Sequence, residues 1–187
     1  MDPVAGRAVN AEEEYGEPLH LVVMGVSGTG KSTVAALLVD QLGCDFCEGD
    51  DLHPQANIDK MSAGQPLTDA DRRPWLEALA AWTAERDRRG VSTILTSSAL
   101  RRAYRDVLRR GGAGTRFVHL TGDPALLAER MGSRTQHFMP SSMLESQLAT
   151  LEPLEDDERG LVVDVAAAPE QIVEQVRQQL GVQGAHG

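Results

Sequence analysis

The residues best suited to chemistry lie in one short stretch, Gly25-Val26-Ser27-Gly28-Thr29-Gly30-Lys31-Ser32, followed by Thr33. It fits the pattern G-x-x-x-x-G-K-[ST] without a departure. Gly25, Gly28 and Gly30 let the backbone curl, so that successive N–H groups converge on phosphate oxygens. Lys31 is placed to reach β- and γ-phosphates, and the Ser32 hydroxyl to bind Mg²⁺. The alternative is a Gly/Ser-rich loop carrying a chance Gly-Lys-Ser. The flanks argue against it. Leu19–Met24 is an apolar run that predicts a buried strand, and the residues after the loop predict a helix to Leu42, stopped by Gly43. A helix starting there adds its partial positive charge where phosphates would sit. Residues 25–33 are therefore expected to bind a nucleoside triphosphate with Mg²⁺.

Other candidates lie where strands are expected to end. Asp45–Glu48 predicts a second strand, closing on Gly49-Asp50-Asp51. Ligands of parallel α/β sheets gather at carboxyl ends of strands, so Glu48 and Asp50 can both face the phosphate crevice; an acidic turn is the competing reading. Val91–Ser98 predicts a third strand. It ends in Thr96-Ser97-Ser98 with no carboxylate, so an acidic partner for the metal must come from Glu48 or Asp50. Arg72, in the first turn of a helix expected over 71–89, can present a guanidinium to an anion or form a surface ion pair. Arg101, opening a basic helix expected over 99–110, is a second anion contact. Arg130 and Arg134 flank an irregular segment, 132–140, with the look of a lid that closes over ATP.

Around these residues the pattern alternates strand and helix. Further strands are expected over 116–120 and 161–165, and further helices over 54–61, 124–131, 141–150 and 169–180. Trp75, Leu76, Leu79 and Trp82 recur at near-helical spacing and read as core rather than as ligand-stacking residues. The alternation makes the chain α/β.

Composition sets outer limits. A chain of 187 residues suffices for one α/β domain, expected over 19–181, with a disordered extension over 1–18. The extension has no apolar core of a secretory signal, and no run of about 18 apolar residues occurs. Net charge is −10, which disfavours nucleic acid and anionic membrane as partners. Cys44 and Cys47 form a C-x-x-C pair with no second pair. They read as small apolar fillers of a cytoplasmic protein rather than as a redox or metal site.

Beyond the phosphate loop, the order of motifs is specific. Gly49-Asp50-Asp51-Leu52-His53-Pro54 is followed by Asn57-Ile58-Asp59-Lys60-Met61 and by the block from Gly64 to Leu76. Ser98-Ala99-Leu100-Arg101-Arg102-Ala103-Tyr104, His137-Phe138-Met139 and Ser146 to Glu152 come after. In this the stretch from Leu21 to about Leu180 resembles the thermoresistant gluconokinase family. The resemblance implies a P-loop kinase fold: three α/β/α layers, a central five-stranded parallel sheet, a mobile substrate-binding segment and a lid over about 130–150. It implies ATP and Mg²⁺ as cofactors, D-gluconate as acceptor, and a homodimer. Lys31, Arg130 and Arg134 would offset charge on the transferring phosphoryl group. Asp50 would take the proton of the attacking hydroxyl, Glu48 would orient a metal-bound water, and Arg72 would hold the gluconate carboxylate. His53, Lys60, Asp71 and Ser98 would frame the sugar. The family carries Asp where this chain has Glu48, and Lys-Lys where it has Arg101-Arg102. A shikimate-like or nucleoside monophosphate acceptor on the same architecture is the alternative.

Overall fold

The structure, a computed structural model, describes residues 17–133 and 141–182. The expected N-terminal extension, apart from Glu17 and Pro18, lies outside these residues, as do Arg134 and His137. Five parallel strands form one sheet: β1 (His20–Met24), β2 (Asp45–Glu48), β3 (Thr93–Thr96), β4 (Thr115–Thr121) and β5 (Gly160–Asp164), in the order β2-β3-β1-β4-β5. The helices are α1 (Lys31–Leu42), α2 (Gln55–Ser62), α3 (Asp69–Asp87), α4 (Arg102–Leu108), α5 (Pro124–Gly132), α6 (Ser141–Thr150) and α7 (Pro169–Leu180).

The central strand explains the layering. All of β1, HLVVM, is buried, as expected of a parallel strand covered on both faces. Successive side chains point to opposite faces. Leu21 and Val23 join Val34, Leu38, Ile172 and Val176 of α1 and α7 in one core. Val22 and Met24 join Trp75, Leu79, Tyr104 and Leu108 of α3 and α4 in the other. The expected α/β/α sandwich is what these two cores make.

Differences from the sequence reading have local causes. The helix expected over 71–89 begins earlier, at Asp69, because Thr68 caps it. Asp71 N–H donates to Thr68 Oγ1 at 3.2 Å and Thr68 N–H donates to Asp71 Oδ2 at 2.9 Å, a reciprocal capping box. Trp82, expected in the core, is only half-buried; the Arg86 guanidinium covers its ring at 4.0 Å. The helix expected over 99–110 shrinks to α4 followed by a 3₁₀ turn, Arg109–Gly111. Ala99 is left-handed at φ 47 and Arg101 is extended. The carbonyls that would start a helix there are already taken. Arg105 Nη1 donates to Ala99 O at 3.0 Å, and Glu152 N–H donates to Leu100 O at 2.7 Å.

Arg105 also forms a forked pair with Glu158, Nε to Oε1 at 2.6 Å and Nη2 to Oε2 at 2.9 Å, with both side chains fully buried. Burial pushes the Glu158 carboxyl up, but the Arg105 bonds and the Glu155 N–H outweigh it and hold the group below its usual range.

Gly49 opens the 3₁₀ turn Gly49–Leu52 that carries Asp50. Its N–H donates to Thr96 Oγ1 at 3.1 Å and its carbonyl accepts from Trp75 Nε1 at 2.7 Å. A Cβ here would stand 1.9 Å from the Thr96 carbonyl oxygen. Backbone approach, not left-handed geometry, demands glycine. Gly49→Ala is expected to cost about 1–3 kcal/mol, read as a lower urea midpoint, because backbone on both sides must shift.

Candidate active site

The phosphate loop leaves β1 and enters α1. Gly25, at φ 143, is pressed so close to β4 that a Cβ would lie 2.4 Å from Leu120 O. Its N–H donates to Ser98 O at 3.3 Å, so Ser98 meets the loop through its backbone carbonyl. Gly30 precedes α1 without a side-chain cap, which leaves first-turn N–H groups for a ligand. Thr29 braces the loop from within, Oγ1 to Val26 O at 2.8 Å. Lys31 Nζ donates to Gly25 O at 3.0 Å and to Val26 O at 3.1 Å. The ammonium thus lies folded against the leading arm of the loop.

Of the two acidic candidates, Glu48 meets the loop. Ser32 Oγ donates to Glu48 Oε2 at 2.8 Å, and the Thr96 hydroxyl donates to Glu48 Oε1. The β2–β3 register places Glu48 opposite Thr96. A hydroxyl beside a carboxylate is a pair of hard oxygen donors. It suits Mg²⁺, which binds through one or two protein oxygens, phosphates and retained waters. No cluster of three or more His, Cys, Asp or Glu suited to a metal occurs among the described residues. Thr96 escaped the sequence reading, since attention fell on a missing carboxylate at the end of β3. Asp50 makes no such contact and is open to solvent. Its side chain is 84% exposed, with Oδ1 3.9 Å from His53 Nε2.

Around α2 and α3, His53 stacks on Trp75 with ring centroids 4.1 Å apart. Asn57 Nδ2 lies 3.3 Å from His53 Nδ1 and donates to Asp71 O at 2.9 Å. Lys60 Nζ donates to both Asp71 carboxylate oxygens at 2.8 Å. The Lys60 bond first, then bonds from Thr68, hold the Asp71 carboxyl down at about 2. Arg72 donates to Leu67 O, and its guanidinium lies 5.7 Å from the Tyr104 ring centroid; Arg101 lies 6.0 Å from the same ring. Asp69 accepts from Arg101 Nη1 at 3.2 Å and from the Tyr104 hydroxyl. Two guanidiniums thus flank one aromatic ring. Tyr104 and Asp69 were missed as site residues; their only signals were a place on the basic helix and a place beside a cap.

Arg130 lies elsewhere. It lines a cleft of about 240 Å³ with Gly30, Thr33, Ala167, Pro169 and Ile172, and its Nη2 donates to Val165 O at 2.8 Å. That cleft adjoins the phosphate loop and the start of α1. The two cysteines are free. Burial, then the Asp45 charge, pushes the Cys44 thiol up to about 11. Burial first, then Asp51 and Glu48 against an opposing Arg86, raises Cys47. Both thiols stay protonated near neutral pH, which leaves them weak nucleophiles.

Burial lowers the His53 pKa, Arg72 adds to this, and Asp50 opposes it. His53 is thus neutral at neutral pH. A histidine depressed in the folded state favours folding above its unfolded pKa of about 6.5, and that contribution is lost as pH falls below it. In an NMR titration the His53 midpoint is expected below 6.5, and His53→Gln should reduce the loss of stability between about pH 6.5 and 5. A midpoint at or above 6.5 would contradict the assignment.

Known proteins resemble this chain over most of its length. A family model described as an AAA domain matches residues 21–154. A gluconokinase of Gluconobacter oxydans (strain 621H) is 51% identical over 160 residues, covering 86% of this chain and 90% of that one. The thermoresistant gluconokinase of Escherichia coli (strain K12) is 43% identical over 153 residues, covering 81% and 87%. The crystal structure of a gluconokinase from Sinorhizobium meliloti 1021 superposes with a TM-score of 0.80 at 48% identity, covering 88% of this chain and 92% of that one. With its phosphate loop, its five-stranded parallel sheet and this degree of identity, the chain belongs to the gluconokinase family of P-loop kinases.

Proposed function

We propose that the protein transfers the γ-phosphoryl group of ATP to the 6-hydroxyl of D-gluconate, giving 6-phospho-D-gluconate for the pentose phosphate pathway. The observation that carries the reading is the Ser32–Glu48 contact beside an intact phosphate loop, in a chain half identical to a gluconokinase. Phosphoryl transfer asks a protein for positioning and charge neutralisation more than for covalent work. The loop N–H groups of residues 25–33 cradle the phosphates. Lys31 exchanges its contacts with the Gly25 and Val26 carbonyls for the β- and γ-phosphates. Ser32 and Glu48 would hold Mg²⁺, Glu48 through a bound water, and Thr96 fixes the Glu48 carboxylate. When bound, Mg²⁺ neutralises charge developing between the β- and γ-phosphates.

Asp50, open at the mouth of the crevice, accepts the proton of the attacking hydroxyl. Its exposure and its place two residues beyond Glu48 support that role. Arg72 and Arg101, held over Tyr104, receive the gluconate carboxylate. Neutral His53 offers a hydrogen bond to a sugar hydroxyl, while Lys60, Asp71 and Ser98 frame the pocket. Arg130 borders the cleft suited to the adenine and ribose, and Arg134 closes with the lid. Within this reading residues 19–181 are one kinase domain with its lid over 130–150. The protein works as a cytoplasmic homodimer without nucleic acid or membrane. Its net charge of −10 supports the last point, and no helix among the described residues is long and apolar enough to cross a membrane.

A coupled assay of ADP release tests the acceptor: turnover is expected with D-gluconate and not with shikimate or AMP. Turnover confined to another acceptor would overturn the reading. Asp50→Asn is expected to lower kcat by about 10²-fold or more with ATP binding intact; near-normal turnover would remove Asp50 as the base. Glu48→Gln should raise the Mg²⁺ concentration for half-maximal rate about tenfold, measured in the same assay.

A further inference from the structure

One contact of the phosphate loop is made by a side chain distant in sequence. The Ser27 backbone N–H donates to Gln147 Oε1 at 2.7 Å, across 120 residues. Gln147 belongs to α6, which is fastened at its far end to the acceptor side. Glu152 N–H donates to Leu100 O at 2.7 Å, Glu152 Oε2 accepts from Arg102 N–H at 2.6 Å, and Arg105 Nη1 donates to Glu152 O at 3.1 Å. Buried Leu144 seats the same helix on the core. Gln147 is thus presented from a fixed support, one that also borders Arg101.

The place of Ser27 within the loop gives the contact meaning. Lys31 Nζ rests against Gly25 O and Val26 O, so the ammonium lies beside the leading arm of the loop. The lysine of this motif serves the β- and γ-phosphates, whereas the helix N-terminus beyond Gly30 serves the inner ones. Ser27 follows Val26 directly and so stands at the γ end. A carboxamide carries an acceptor oxygen and two N–H donors on one carbon. Its oxygen suits the Ser27 N–H when no anion is near. A γ-phosphoryl oxygen would repel that oxygen and attract the NH₂ group.

We propose that Gln147 is a positioning residue that reads the γ-phosphoryl group. Its oxygen holds the Ser27 N–H in the empty loop. When ATP arrives, a γ-phosphoryl oxygen takes over that N–H and the amide turns its NH₂ to the phosphoryl. ADP lacks the group and leaves the Ser27–Gln147 bond in place. The proposal rests on the reading of residues 25–33 as an ATP site.

Two substitutions at this half-buried position separate the outcomes. Gln147→Glu keeps the acceptor but puts a negative charge against the γ-phosphoryl. By titration calorimetry it should bind a non-hydrolysable ATP analogue about tenfold more weakly and ADP within about twofold of wild type. Gln147→Leu keeps the volume and removes both polar groups. It should lower kcat about tenfold while the KM for D-gluconate stays within about twofold. Equal weakening of ATP analogue and ADP by Gln147→Glu, or an unchanged kcat in Gln147→Leu, would overturn the proposal. Equal weakening with a lowered thermal midpoint would mark Gln147 as structural only. If the wild type bound neither nucleotide, the ATP-site reading itself would fall, and this inference with it.

Discussion

Much of this structure depends on one guanidinium. Arg105 is fully buried and gives its hydrogen bonds to the Glu158 carboxylate and to the carbonyls of Ala99, Leu100, Glu152 and Pro153. A charge taken out of water is costly unless its donors are all matched, and here they are. Losing one partner of such a pair typically costs about 3–5 kcal/mol, because the other charge stays buried. The return is geometric. Arg105, itself in α4, gathers the chain leaving β3, the chain leaving α6 and Glu158 just before β5. No apolar side chain could hold all of them at once.

The same economy of position governs the acidic centre. Parallel pairing of β2 with β3 sets Glu48 opposite Thr96, and the loop sets Ser32 against Glu48. The Thr96 hydroxyl is shared: it donates to the carboxylate and accepts from Gly49 N–H. Gly49 in turn is held from above by the Trp75 indole. A side chain of α3, a hydroxyl of β3 and a backbone turn after β2 thereby fix where the Glu48 carboxylate ends and where Asp50 begins. Each element supplies something the others lack, and they meet at the carboxyl edge of the sheet.

How much of this was legible in the sequence follows from how local each feature is. The phosphate loop, the helix it opens and the bounds of β2, α6 and α7 were readable because neighbours along the chain decide them. The lack of a carboxylate at the end of β3 narrowed the acidic partner of Ser32 to Glu48 or Asp50, and only the folded chain sets Glu48 against the Ser32 hydroxyl. The start of α4 was not readable, because the carbonyls that would have begun a longer helix are claimed by Arg105 and by residue 152. Tyr104 looked like one more residue on a basic helix; only folding brings Arg72, from another helix, over its ring. Trp82 shared the spacing of Trp75 and Leu79, yet spacing does not say how far a helix face extends past the sheet. The contact of the Arg130 guanidinium with the Val165 carbonyl, just after β5, was likewise not readable, since the two residues lie 35 apart in sequence.

The contacts among Asn57, Lys60 and Asp71 have one more consequence. Lys60 grips both oxygens of Asp71, and Asn57 holds the Asp71 carbonyl. Helices α2 and α3 are therefore joined by side chains without help from a ligand. Ordering loose side chains around a small polar molecule costs about 0.5–1.5 kcal/mol for each one immobilised. Here that ordering is done during folding, while the chain is already surrendering its freedom. A small polar ligand meeting this face would find Asn57, Lys60 and Asp71 already held, so its selection would fall to its own geometry rather than to the chain's readiness to rearrange.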